Sequence, residues 1–384
     1  MSLLHRLQQI AAKLESSEGV AESLAAADAD LTVYDVEFEP AIEKVKRDPA
    51  RRYMTPLPSV VGKQYGRLSF SVEVKSSGAL ATAPSWGKLL KACGMQEAAL
   101  VTIAIGSITS GPFVPGDVVT GGTSNATGLV IDRVATGASV LHLVVLSGTF
   151  QNGEVLTGSV SGATATTGGT ATASQGWNYR PTSTTLSTSS LTLGFFHDGL
   201  KKVIYGARGN VRGTGGNGAL GMLRFELEGV YGGVTDVALL SNTLESQVPV
   251  TFLDVGLYLD AYQADFATLE FDLGAVRQQY ETAQAAKGSK FVRITGRAPT
   301  VTLDPYAALV AGFDWFGKLA SSNTSFLRAA YGTSPNKVVL AFPKLSYEAV
   351  RQATRGDFQT LGVTLAAVAP TVSTGDNEVL ISVV

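Results

Sequence analysis

The sequence predicts a mainly β protein: two tandem β-sandwich or barrel domains, each with a flanking α-helix, plus a small all-β domain inserted into the first. Three observations predict it. Over 68–75, Leu68, Phe70, Val72 and Val74 alternate with Ser69, Ser71, Glu73 and Lys75, the period of a half-buried strand. Residues 99–175 lose almost all charge and carry an internal repeat. The last third, 243–384, returns to the order of elements in 31–98 and 176–242.

Composition sets the frame. A chain of 384 residues has room for two or three domains. Forty-two glycines and only 16% charged residues suit an all-β chain with many tight turns, and leave neutral surface that subunits can bury. A net charge of −2 gives no basic field to hold nucleic acid. The single cysteine, Cys93, excludes an internal disulfide and a cysteine-based zinc site, and reads as a buried inert thiol. No stretch reaches the roughly 18 apolar residues of a membrane span, and the first residues lack a signal-peptide core. The expectation is a protein made in a cytoplasm, soluble until it assembles, with no membrane partner.

Taken in order, residues 3–14 place Leu3, Leu7, Ile10, Ala11 and Leu14 on one face of an expected helix, and 1–30 as a whole reads as a terminal helix and arm. The arm either packs on its own domain or contacts a neighbouring subunit. Residues 31–39 alternate as a strand. A long loop then carries Pro49, Pro56 and Pro58 and the cations Lys44, Lys46, Arg47, Arg51 and Arg52. Beside Glu39, Glu43 and Asp48 this is expected to be a solvated, self-paired surface; in a ring-forming chain it would be an inter-ring contact. After the 68–75 strand, Pro84 opens a short helix with Trp86, Leu89, Leu90 and Cys93 on one face, ended by Gly94.

Within 99–175, residues 111–127 and 148–164 align at an offset of 37 with nine of 17 positions identical, among them Phe113/Phe150, Gly116/Gly153 and Ser124/Ser161. Duplicated strand–turn–strand units predict a small barrel or sandwich with approximate two-fold symmetry, on the outside of whatever the main domains build. The first domain resumes at Trp177. Gly213, Gly215 and Gly218 form a literal G-x-G-x-x-G, but alternating LRFELEG follows where a dinucleotide site needs a helix, so these glycines read as a flexible hairpin tip. Residues 234–250 are a polar connection. Beyond them lie strands around 266–274 and 291–304, a helix after Pro305 with Leu309, Val310, Phe313, Phe316 and Leu319 on its apolar face, and a closing set of strands.

No catalytic constellation accompanies these elements. His5, His142 and His197 have no metal-ligand partner at suitable spacing, Asp254, Asp260 and Asp265 have no stated acid, base or nucleophile, and there is no P-loop or G-x-S-x-G. The expectation is a non-enzyme with no cofactor and no metal.

The segments DPARRYMTPLPSVVGKQYGRLSFSVEV, APSWGKLLKACG and SLTLGFFHDGLKKVIYGARGNVR together resemble the tail tube proteins of long-tailed (siphovirus-like) bacteriophages, over residues 28–97 and 176–384. The order of elements carries the match; the residues between look inserted. The resemblance implies a virion structural protein whose domains join edge to edge around a lumen, in rings that stack into a tube conducting DNA. Six domains complete such a ring, so three two-domain chains suffice; without duplication, six chains are needed. The implied partners are other copies, tape measure, tail terminator and baseplate proteins, and DNA in transit without specific binding. Ser69, Ser71, Glu73 and Lys75, with Glu270 and Asp272, are the candidate lumen-facing residues. Other readings are a tail adaptor or hub of the same fold, and a glycan-binding module using the insert. A bulky external insert argues against a contractile sheath.

Overall fold

A computed structural model describes residue 4 and residues 6–184, 189–370 and 375–384. Strands β1 (Gln8–Leu14), β2 (Val33–Val45) and β3 (Val60–Glu73) precede helix α1 (Gly87–Ala92) and β4 (Met95–Ala99). Next come β5 (Val101–Ala104), β6 (Val118–Gly121), β7 (Thr127–Val130), β8 (Val140–Ser147), β9 (Val155–Gly158) and β10 (Thr164–Thr166). Strands β11 (Trp177–Pro181), β12 (Leu191–His197), β13 (Leu200–Gly216) and β14 (Met222–Asp236) follow. The last part holds β15 (Gly256–Leu259), β16 (Tyr262–Gln263), β17 (Thr268–Asp272), β18 (Ala275–Glu281), β19 (Ser289–Arg297) and β20 (Thr300–Leu303). Helix α2 (Trp315–Ala320) then leads to β21 (Thr324–Tyr331), β22 (Val338–Arg355), β23 (Phe358–Ala367) and β24 (Leu380–Val383). The protein is mainly β.

One hydrogen-bonded path runs β2-β3-β14-β13-β17-β20-β23-β22, every pair antiparallel, and continues into β21 and β15. It crosses from the first half of the chain to the second between β13 and β17, where Arg212 faces Asp272 and Gly216 faces Thr268. The same pairings occur on both sides of that crossing. β1 lies on β12 and β15 on β21; β12–β13 and β21–β22 both break register, after Leu191 and after Ser325.

Alternation decides what this sheet buries. Leu68, Phe70 and Val72 face Leu227, Phe225 and Leu223, all at most 2% exposed, in a core that continues through Phe271, Val301, Leu365 and Phe342. α1 seals one side with Trp86, Leu89, Leu90 and Cys93, and Gly94 at φ +83° ends it. Burial pushes the Cys93 thiol well above its usual value, so it stays protonated and unreactive.

Four expectations change. Residues 8–14 are a strand, not a helix. β12 presents an edge that β1 fills, and Ile10, Ala11 and Ala12 are all buried because both faces of β1 are covered. A helix would have left Ala12 outside and the β12 edge open. The rest of the arm is tied down through Glu15, which accepts from Ser190, Thr192 and Gly206. Leu3 and His5 of the expected helix lie outside the described residues. Second, the helix after Pro305 shrinks to α2: Asp314 caps it by accepting from Gly317 N–H, and Leu309 and Val310 are left 84% and 72% exposed. Third, the strand of 31–39 continues through Pro40, so Lys44 is a strand residue. Fourth, Gly213 and Gly215 are packing positions rather than a loose tip. A Cβ at Gly213 would lie 2.0 Å from the Phe271 ring, and one at Gly215 2.5 Å from Phe252.

Candidate assembly surface

Residues opposite each other in a ladder share a face, so the register maps the polar side of the path. One row runs Ser71, Arg224, Arg212, Asp272, Thr300, Ala366, Ser346, and a parallel one Thr214, Glu270, Thr302, Thr364, Ala349. Both cross the β13–β17 junction without a break. Arg212 Nε donates to Asp272 Oδ2 at 2.7 Å, and Asn210 donates to Asp272 Oδ1. Arg224 lies 3.2 Å from Glu37, and Arg67 3.6 Å from Glu228. Acids and arginines thus neutralise each other over much of this face, with serine and threonine between them. The β18–β19 hairpin stands against it: Arg277 donates to the Glu226 carbonyl, Gln279 to Glu228 and Lys63 to Glu281.

The candidate lumen residues separate on this map. Glu270 is exposed, Ser69 and Asp272 are half-buried, and Ser71, Glu73 and Lys75 are buried, at 9%, 8% and 7% exposure. The last three are therefore covered within the single chain. Glu73 accepts from Tyr34 Oη and faces Lys75 at 3.6 Å, while Lys75 also donates to the Glu245 carbonyl of the 237–255 connection. The Glu73 hydrogen bond, then burial, pushes the Tyr34 hydroxyl up to about 12, so it remains a donor. Alternation showed which residues share a face, but not that a connection 170 residues away covers the end of the strand.

Lys44, Lys46, Arg47, Arg51 and Arg52 are all exposed, and among the described residues none of them enters an ion pair, contrary to the self-paired expectation. They sit where β2 and β3 run out beyond the body, with Tyr53 70% exposed and Met54 fully so. Among the described residues β2 pairs with β3 alone, which leaves its outer edge open. Among the same residues β22 from Tyr347 to Arg355 likewise pairs only with β23. The path therefore ends in two free edges, a configuration that templates pairing with another chain.

The insert folds as its own six-stranded sheet, β10-β9-β6-β7-β8-β5. Its two repeats hold each other. Asp117 of the first accepts from Val160 N–H, Ser161 N–H and Ser161 Oγ of the second. Glu154 of the second accepts from Thr123 N–H, Ser124 N–H and Ser124 Oγ of the first. Burial raises the Glu154 carboxyl, but the Ser124, Gln151 and Thr123 donors outweigh it and hold it below the usual value. Although inserted in the first half, the domain rests on the second. Leu100, Leu129, Ile131 and Val144 pack on Val339, Ala341, Leu380 and Val384. At the rim Asp132 accepts from Nε and Nη2 of Arg328, at 2.5 and 3.0 Å, and from Lys337 at 3.1 Å. Burial raises Asp132, yet these cations bring it below its usual value; burial and Lys337 lower His142 alongside.

Among the described residues no group of three His, Cys, Asp or Glu side chains could hold a metal, and no helix is long and apolar enough to cross a membrane. No protein-family model and no curated protein matches the chain.

Proposed function

We propose that this protein is a virion structural subunit of the tail-tube type, whose two halves are duplicated tube domains and whose copies close into rings that stack around a DNA-conducting lumen. The observation that carries the reading is the β13–β17 junction. Two halves with the same pairings are joined edge to edge into one continuous sheet, and that sheet ends in two further open edges of the same kind. Closing a curved sheet through its edges removes them, which a barrel of several chains achieves. With two domains per chain, three copies make a six-domain ring.

In this reading the polar face lines the lumen. Glu37, Glu39, Glu226, Glu228, Glu270 and Asp272 repel phosphates, and Arg67, Arg212 and Arg224 are held by those acids rather than offered to DNA. The basic tip with Tyr53 and Met54 reaches the next ring, and the insert sits outside as a buttress on the second half. The chain does no chemistry of its own; its partners are further copies and the proteins that start, measure and end the tube.

Electron microscopy of the purified protein at high concentration tests this. End-on class averages should show hollow rings or tubes with three external knobs. Six equivalent knobs would remove the duplication, and compact particles without a lumen would remove the tube.

A further inference from the structure

The internal junction also specifies the one between copies; this inference rests on the ring reading above. We infer that β22 of one chain pairs antiparallel with β2 of a second copy, with Arg351 facing Glu39 and Ala353 facing Glu37.

The register follows from matching the halves. Leu193 faces Ile204 just before the irregularity in β12–β13, as Leu327 faces Phe342 in β21–β22. Carrying that match along β22, and allowing for its extra irregularity between Tyr347 and Ala349, brings Val350-Arg351 onto Val211-Arg212. On the other side of the junction, Phe271 faces Val301, which faces Leu365; Phe38 faces Leu68, which faces Leu227. Leu227 and Leu365 occupy the same place in their halves, so Phe38 matches Phe271. The sequences then agree: Val36-Glu37-Phe38-Glu39 against Leu269-Glu270-Phe271-Asp272, and Val350-Arg351 against Val211-Arg212.

The internal ion pair of Arg212 with Asp272 thus has an external counterpart in Arg351 and Glu39. Both are exposed, and neither has an ion pair among the described residues. Each sits on a free edge with the opposite charge waiting on the other. Leu273 N–H donates to Val211 O at the far end of the internal ladder. Pro40 stands at the matching place without an N–H, so the external ladder ends one bond earlier. That bond also fixes the alternation: Thr214–Glu270, and hence Ala353–Glu37, is a closely spaced pair with Cα atoms about 4.5 Å apart. A disulfide spans this distance.

The test is the double variant E37C/A353C, oxidised after ring assembly and run on a non-reducing gel. Within one chain the two positions lie seven ladder steps apart and cannot join, and buried Cys93 does not compete. The expected result is a ladder of covalent multimers ending at the closed ring, with loss of that ladder in E37C/T354C, where the second thiol points to the other face. In parallel, E39R and R351E should each lose ring assembly and the double variant E39R/R351E should recover it. Rings that form without E37C/A353C cross-linking, and that tolerate E39R, overturn the register while leaving the ring. Wild-type protein that forms no rings overturns both.

Discussion

At the scale of single residues, the insert depends on two carboxylates that its own repeat arithmetic predicts as equivalents. Asp117 and Glu154 stand 37 residues apart in the aligned segments, and each holds the turn of the other repeat while also accepting one backbone N–H of its own, from Val114 and Gln151 respectively. Charge-assisted bonds of this kind contribute about 1.5–3 kcal/mol apiece, so Asp117→Ala should destabilise the insert by several times thermal energy. Chemical denaturation followed on isolated residues 99–175 or in the whole chain would show a lower midpoint. The seam between insert and body should respond to pH. Asp132 has a folded pKa below its usual 3.8, and His142 one below its usual 6.5. In both cases the unfolded or detached state takes up the proton more readily, so the stabilisation is complete above those values and fades as the pH falls through them. Protection of the β7 and β8 amides, measured relative to the slower intrinsic exchange in acid, should therefore fall on acidification, and in Asp132→Asn it should already be lower at neutral pH. Breaking such a buried pair costs about 3–5 kcal/mol.

At the scale of elements, the junction strand β13 needs its glycines. Gly213→Val would drive a side chain into the Phe271 ring at a distance no contact tolerates. Overpacking of this sort costs about 1–3 kcal/mol, and the expected outcome is a lower melting temperature with early exposure of β17 to protease. The elements also show what the sequence made legible. β3, α1, the hairpin of β13 and β14, and the insert as a separate β unit could all be read, because alternation, a proline-to-glycine helix and a direct repeat are local signals. β1 could not. Its run of Ile10, Ala11 and Ala12 satisfies helical spacing, and only the open edge of β12, nearly 200 residues on, decides for a strand. The reach of the helix after Pro305 failed for a related reason: Leu309 and Val310 have helical spacing, but nothing among the described residues covers them. The junction pair Arg212 and Asp272, and the proposed pair Arg351 and Glu39, left a readable trace in the matching Val-Arg and acidic-Phe-acidic segments. Short matches of that kind gain meaning only once the register shows that they occupy the same places.

For the whole molecule, the proposed tube separates into ring closure and stacking, and the two should fail independently. Replacing Lys46, Arg47, Arg51 and Arg52 with glutamate touches neither free edge, so single rings should persist while long tubes disappear from sedimentation and micrographs. Glu270→Lys should leave both intact and slow DNA release from particles carrying it, since it adds an attractive charge to an exposed position on the polar face.

The β13–β17 crossing has a kinetic consequence as well. A contact held within one chain cannot be lost by dilution, because its two sides face each other at a local concentration fixed by the polypeptide itself. In the proposed ring every second seam is in that sense already made when a subunit arrives. Growth then needs half as many encounters per turn as a ring of single-domain subunits, and a nucleus becomes reachable at protein levels where separated halves would remain dispersed.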